Sequence, residues 1–265
     1  MSGAEDTSPN EPHPQWKPEY KRDHVYLHVI PRDRAKGALN ISPFAIKLEF
    51  WLRINKIPFE TIDSEQFSSK KQSPFILFNG EEIPDSNFIV EFLCKKFKKD
   101  PYPGLGPIER ATSRAFLKMT EENMTWPIFV YRYVEHTDEY ADYFFPTVPR
   151  EQRLKILETL TDWVGKRAYG HGIGRHASAD IQKIGCDDIQ AISDYLADKN
   201  FIMGDTPSLV DCSVFGVLSQ VAYVPMKYPM RIYLFDKCPN IIRFLNRMRD
   251  NYWPEWPRLE ESKTE

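Results

Sequence analysis

Residues 73–97, SPFILFNGEEIPDSNFIVEFLCKKF, decide the fold. Pro74–Phe78 is a short apolar run that reads as a strand. Asn79-Gly80 follows, the strongest short hairpin signal, because a two-residue hairpin turn needs positive φ at both central positions. Glu81–Pro84 then returns as a short edge strand. Asp85 and Ser86 open a helix that carries Phe88, Ile89, Phe92, Leu93 and Phe97 at helical spacing.

Upstream, His24–Ile30 (HVYLHVI) is β-branched, short and ended by Pro31, so it reads as a strand. Residues 32–41 form a loop. Ser42-Pro43 gives a helix start, with Ser as cap and Pro in the first turn. Phe44, Leu48, Trp51 and Leu52 continue it, and the helix stops near Lys56, before Pro58. Phe59–Asp63 alternates as a second strand, and residues 64–73 are a weak helix or a loop. The order β-α-β-(α)-β-β-α is that of a thioredoxin-like α/β domain.

Downstream of Pro101-Tyr-Pro-Gly-Leu-Gly the pattern is helical throughout: Ile108–Tyr133, Arg150–Arg167, Ser178–Leu196, Ser208–Tyr223 and Cys238–Tyr252. Ser208–Tyr223 is largely apolar, which predicts a buried central helix. Ser208-Leu-Val-Asp211 is a capping box that starts it. The tail YWPEWP should pack back on the fold, since two exposed Trp would be unusual. The expected plan is a tail over 1–20 that is disordered, an α/β domain over 21–100, a linker over 101–107, an all-α domain over 108–257 and a polar tail over 258–265.

Composition narrows the function classes. The chain has 265 residues, 42% of them apolar and 28% charged, with a net charge near −3. Nucleic-acid binders usually show a basic face, and this balance gives none. No stretch reaches the roughly 18 apolar residues of a membrane helix, and residues 1–14 lack the apolar core of a secretory signal. These features favour a cytoplasmic location. Cys94, Cys186, Cys212 and Cys238 form no C-x-x-C pair and no zinc-ligand spacing, so they read as reduced thiols and no metal site is expected.

Several residues can carry chemistry. A helix N-terminus offers unpaired N–H groups and about half a positive charge, which lowers the pKa of a nearby thiol. Ser42 is therefore either a plain N-cap or a hydroxyl that stabilises a bound thiolate. Gln72-Ser73-Pro74 is either an ordinary strand opening or a cis-proline edge that pairs with a peptide-like ligand. Asp85-Ser86 is either a double cap or a grip on an α-amino acid, Ser for the carboxylate and Asp for the ammonium. Gly170-His-Gly-Ile-Gly-Arg-His176 matches no phosphate-loop pattern and reads as a tight link between helices.

The runs SPFAIKLEFWLRINKIPFE (42–60), QSPFILFNGEEIPDSNFIVEFL (72–93) and GDTPSLVDCSVFG (204–216) resemble the glutathione transferase superfamily. Asn40-Ile-Ser-Pro-Phe, Gly80–Ile89 and the Gly-Ile-Gly-Arg-His segment resemble its failed axon connections and metaxin-like branch, which is related to cadmium-responsive proteins. The resemblance implies a glutathione site on Ser42, Ser73, Pro74, Asp85 and Ser86, with Pro74 cis. Lys70 or Gln72 would meet the glycyl carboxylate. It also implies a homodimer. A small hydrophobic electrophile as second ligand would lie against residues 108–133, where Trp126, Tyr131 and Tyr133 either line its pocket or simply pack in the core.

The chain departs from the family's pattern as well. Val29 stands where tyrosine-type enzymes carry the catalytic Tyr, and Ile41 where delta-like enzymes carry Ser. Ser42 stands where omega-like enzymes carry Cys, and a hydroxyl cannot form a mixed disulfide. Thiol transfer is thereby disfavoured. Three readings remain open: a conjugating enzyme, a catalytically inactive adaptor on the same fold, and a binder of metal–thiol complexes.

Overall fold

The computed structural model describes residues 13–32, 39–145 and 148–259. Four strands form one mixed sheet in the order β2-β1-β3-β4. β1 (Val25–Val29) runs parallel to β2 (Phe59–Asp63) and antiparallel to β3 (Phe75–Phe78), which pairs antiparallel with β4 (Glu81–Pro84). The Asn79-Gly80 hairpin has positive φ at both residues, as its chemistry requires. Alternation along β1 sends Val25, Leu27 and Val29 into the main core, and Tyr26 and His28 to the opposite face.

Helices α1 (Pro43–Ile54) and α2 (Ser86–Phe97) cover the core face. Among the described residues the other face has no helix of its own. Residues 64–73 make turns, and the segment 13–24 lies across the sheet instead. Trp16 and Tyr20 pack on Tyr26, with Tyr20 stacked at 3.6 Å, and His13 pairs with Glu82 at 3.1 Å. The expected disordered tail over 1–20 is corrected here for residues 13–20: polarity and prolines suggested a free chain, but two aromatics find an apolar sheet face left open. Residues 1–12 lie outside the described residues.

The helical part holds α3 (Pro107–Lys118), α4 (Thr125–Val130), α5 (Thr137–Phe144), α6 (Arg150–His171), α7 (Ser178–Leu196), α8 (Leu209–Ala222), α9 (Pro229–Lys237) and α10 (Pro239–Tyr252). The stretch read as one helix from Ile108 to Tyr133 is broken by two π-helical turns, Met119–Met124 and Tyr131–Glu135. Each extra residue per turn rotates the downstream side chains around the axis. Helices α5 and α9 are short and add to the helical stretches expected from sequence.

Every residue of α8 is buried. Its first turn is held by Asp211, whose carboxylate accepts from Ser208 N at 2.8 Å, from the Ser208 hydroxyl and from Ile202 N. Burial pushes the Asp211 carboxyl up to about 6. α1 lies directly on α8, where Gly216 lets the two backbones meet: a Cβ there would stand 2.4 Å from the Pro43 carbonyl oxygen. The linker is pinned by Leu209 N, which donates to Pro101 O, and by Arg110 on Asp100. Trp253 and Trp256 fold back and are buried beside Phe50, Phe215 and Tyr223. At the C-terminal end, Leu259 is tied to the Asn246 side chain through both its N and its O, and residues 260–265 lie outside the described residues.

Candidate functional site

Ser42 caps α1. Its hydroxyl oxygen accepts from Ala45 N at 3.4 Å, and its own N–H donates to Asn40 Oδ1 at 2.9 Å. A serine hydroxyl has one proton to give as well as lone pairs, and no acceptor among the described residues takes it. The residue is 8% exposed. It is therefore a cap, and among the described residues its hydroxyl proton has no acceptor at the positive end of the helix.

The Ser73–Pro74 peptide is cis. Phe75 pairs with Pro84 across β3 and β4, so the register sets Pro74 beside Asp85 at the next position. Asp85 caps α2 by accepting from Asn87 N and Phe88 N. It does so at φ +75°, a region that costs a non-glycine residue about 1–3 kcal/mol and that collects at functional positions. Ser86 follows, 7% exposed, with its hydroxyl oxygen 3.4 Å from Lys47 Nζ. Ser73, Pro74, Asp85 and Ser86 thus share one corner, and α1 reaches it through Lys47.

Lys47, Asn87, Glu121 and Ser213 were not singled out from sequence. The Lys47 ammonium is buried and meets Glu121 at 2.5 Å and Asn87 Oδ1 at 2.8 Å. Glu121 also accepts from Asn87 Nδ2 and from the Ser213 hydroxyl. Burial pulls the Lys47 pKa down, opposed by Glu121. Burial pushes Glu121 up, but Lys47, Asn87 and Ser213 outweigh it and hold its carboxyl below the ordinary value. One signal was visible: Lys47 lies three residues after Phe44 and four before Trp51, on the stripe that should be apolar. Glu121 gave none, because a π-helical turn aims it inward.

The residues expected around a second ligand are engaged in packing. Tyr131 is buried, donates to Lys227 O and stacks on His136. Tyr133 packs on Phe129 and Tyr140, and Trp126 on Phe129 and His171. Lys70 and Gln72 are exposed. The Gly170–His176 segment is a tight link: Gly174 packs so closely on Ala168 and Tyr169 that a Cβ would stand 2.7 Å from Tyr169 N, and Arg175 donates to Tyr169 O. All four cysteines are free. Burial raises each thiol, Cys94 and Cys186 to about 11, which leaves them weak nucleophiles. Among the described residues no three His, Cys, Asp or Glu side chains gather as a metal-ligand set, and no helix is long and apolar enough to cross a membrane.

Residues 43–139 match the glutathione S-transferase N-terminal domain, and residues 185–248 match the glutathione S-transferase C-terminal domain. The chain belongs to the glutathione transferase superfamily. Among members of that superfamily it is similar to Failed axon connections of Drosophila melanogaster, 33% identical over 92% of this chain. This chain spans 61% of that relative's length. It is 28% identical to an isoprene-epoxide–glutathione S-transferase of Rhodococcus, over 82% of this chain and 95% of the relative. It is also 28% identical to a metaxin-1 homologue of Caenorhabditis briggsae, over 86% of this chain and 74% of the relative.

Two solved structures share the glutathione transferase fold. One is a beta-etherase from Sphingobium, with TM-score 0.61, 16% identity, and coverage of 85% of this chain and 94% of the other. The second is a glutathione S-transferase from Methylobacterium radiotolerans in complex with glutathione sulfonate, with TM-score 0.56, 16% identity, and coverage of 91% and 98%.

Proposed function

We propose that this glutathione transferase-like chain binds glutathione in the corner between α1, β3 and α2, and that Ser42 stabilises its thiolate for conjugation to a small hydrophobic electrophile. The observation that carries this reading is the convergence of Ser73, Pro74, Asp85 and Ser86, with Asp85 held at positive φ where its carboxylate stands beside the α2 N-terminus. The γ-glutamyl end of glutathione carries one carboxylate and one ammonium. Ser86 and the first N–H groups of α2 suit the carboxylate, and Asp85 suits the ammonium. The cis Ser73–Pro74 edge suits the peptide backbone of the ligand. The thiol would then lie toward Ser42, whose hydroxyl proton has no other acceptor among the described residues.

The relatives support the reading. One is named as a glutathione S-transferase, and one structural neighbour was solved with glutathione sulfonate. A homodimer, a role in detoxification and a cytoplasmic location belong to the same proposal. The test is thermal melting with and without glutathione. Ligand at a hundred times its Kd stabilises by about 2.7 kcal/mol, and Asp85→Ala should remove most of that shift. An unaltered melting temperature at millimolar glutathione would sink the proposal.

The burial of both hydroxyls favours a second reading. Ser42 and Ser86 are more than nine-tenths covered, and Lys47 already engages Ser86. A catalytically inactive adaptor, in keeping with the similarity to Failed axon connections, keeps this arrangement as structure. Ser42→Ala separates the two: an enzyme loses turnover while its fold and glutathione affinity persist, and an adaptor has no turnover to lose.

A further inference from the structure

Arg132 is fully buried in the π-helical turn Tyr131–Glu135, and no carboxylate among the described residues forms an ion pair with it. Its Nη1 donates to Gln220 Oε1 at 2.8 Å, its Nη2 to Gln220 O at 2.7 Å, and its Nε to the Tyr228 hydroxyl. The Phe144 ring faces its guanidinium at 5.2 Å. A guanidinium only donates, so it fixes the Gln220 amide with oxygen toward Arg132 and nitrogen away. That nitrogen donates to Asn40 O at 2.9 Å. Asn40 is buried in turn, and its side chain bridges two places. Nδ2 donates to Ile30 O, just past β1, at 2.7 Å, and Oδ1 accepts from Ser42 N.

Resting on the glutathione reading above, we propose that Asn40, held by Gln220 and Arg132, is a positioning residue for Ser42, so that the helical domain sets how strongly Ser42 stabilises the bound thiolate. The relay is continuous from π-turn to α8 to the loop before α1. Each member is fixed by donor and acceptor type rather than by packing alone. Asn40 holds the end of β1 and the cap of α1 in one frame, so the Ser42 hydroxyl keeps its aim only while Asn40 keeps its place.

Gln220→Glu tests the relay. Glutamate is nearly isosteric and pairs better with Arg132, so the fold is retained, but it cannot donate to Asn40. Asn40→Ala is the second variant and cuts the relay from the other end. Two quantities are read in the full chain. One is hydrogen exchange of the Ser42 amide without ligand. The other is the pH titration of the thiol of bound glutathione, followed by thiolate ultraviolet absorbance.

The expected result is faster Ser42 exchange and a thiolate fraction at fixed pH lowered about five- to tenfold in both variants, the scale of one lost buried hydrogen bond. Glutathione affinity should change less. If the unaltered chain binds glutathione and neither quantity moves in either variant, the relay is overturned while the binding site stands. If the unaltered chain binds no glutathione, the site reading falls and the relay's chemistry falls with it.

Discussion

The two faces of the sheet treat buried charge in opposite ways. On the helical face every buried ion has partners: Lys47 has Glu121, Asn87 and Ser86, and Arg132 has Gln220 and Tyr228. On the face covered by residues 13–24, His28 is buried against Phe75 and neither ring nitrogen has a hydrogen-bond partner in the described structure. The first face spends ordering and desolvation to hold polar atoms at set positions, which a binding site needs. The second face keeps the His28 imidazole neutral and lets aromatic rings do the covering. A site belongs on the first face, and a pH-sensitive seam on the second.

The largest effect should come from unbalancing the ion pair. Glu121→Leu leaves the Lys47 ammonium buried with only amide and hydroxyl partners, and such strandings cost about 3–5 kcal/mol. The double variant Lys47→Met/Glu121→Leu should recover most of that loss, because apolar residues of similar volume replace a buried pair at little net cost. Chemical denaturation of Glu121→Leu, Lys47→Met and the double variant measures the coupling. A double variant as unstable as the worse single one would show that the pair is not the unit that matters on this face.

The second effect is a pH dependence of the opposite face. Burial, helped by the charges of His13 and Lys17 and opposed by Glu82, lowers the His28 pKa to about 4 from an ordinary 6.5. The folded state therefore binds this proton less readily than the unfolded chain. Stability attributable to His28 is fully present above pH 6.5 and falls as pH drops from 6.5 to about 4. The shift corresponds to at most roughly 3 kcal/mol. His28→Phe, which keeps the stack on Phe75, should flatten the stability profile across that window. Equal slopes for variant and parent would place the acid sensitivity elsewhere.

How legible all this was in the sequence depends on the range of each interaction. The hairpin at Asn79-Gly80, the caps at Ser42, Asp85 and Ser208, and the alternation of β1 depend on neighbours a few residues away, and these features took the expected form. Pro74 met the expectation drawn from family resemblance. Glu121 and Arg132 were illegible for a physical cause: helical periodicity assigns faces by 3.6 residues per turn, and two π-helical turns break that count between Lys118 and His136. The segment 13–20 was misread because its aromatics are too few to form a pattern. Their partners, Tyr26, Phe75 and Leu77, become a surface only after the sheet has formed.

A third prediction probes the seam between α1 and α8, which belongs to the helical face alone. Gly216→Ala places a methyl 2.4 Å from the Pro43 carbonyl, a backbone atom that moves only if α1 moves. Overpacking of this kind costs about 1–3 kcal/mol. Because Pro43 adjoins Ser42, the variant should also weaken glutathione binding measured by calorimetry. Weakened stability with unaltered affinity would mean that the α1 terminus is set independently of α8.

The smallest effect should come from the covering segment. Trp16 packs edge-on against Tyr20 at 5.4 Å and Tyr26 at 5.9 Å and is only partly buried. Trp16→Ala therefore removes an edge of the aromatic cover and none of the sheet's own hydrogen bonds. The expected loss is about 1 kcal/mol, near the worth of a favourable aromatic pair with partial area burial. Its informative readout is the site rather than the fold. Trp16 reaches the candidate site only through the segment that also places His13 on Glu82, and Glu82 in turn holds Ser69 N and its hydroxyl in the turns before Ser73. If the faces work separately, Trp16→Ala leaves glutathione affinity within error of the parent. A drop in affinity larger than the drop in stability would show that the cover braces the 64–73 turns from behind, and the two faces would then have to be treated as one device.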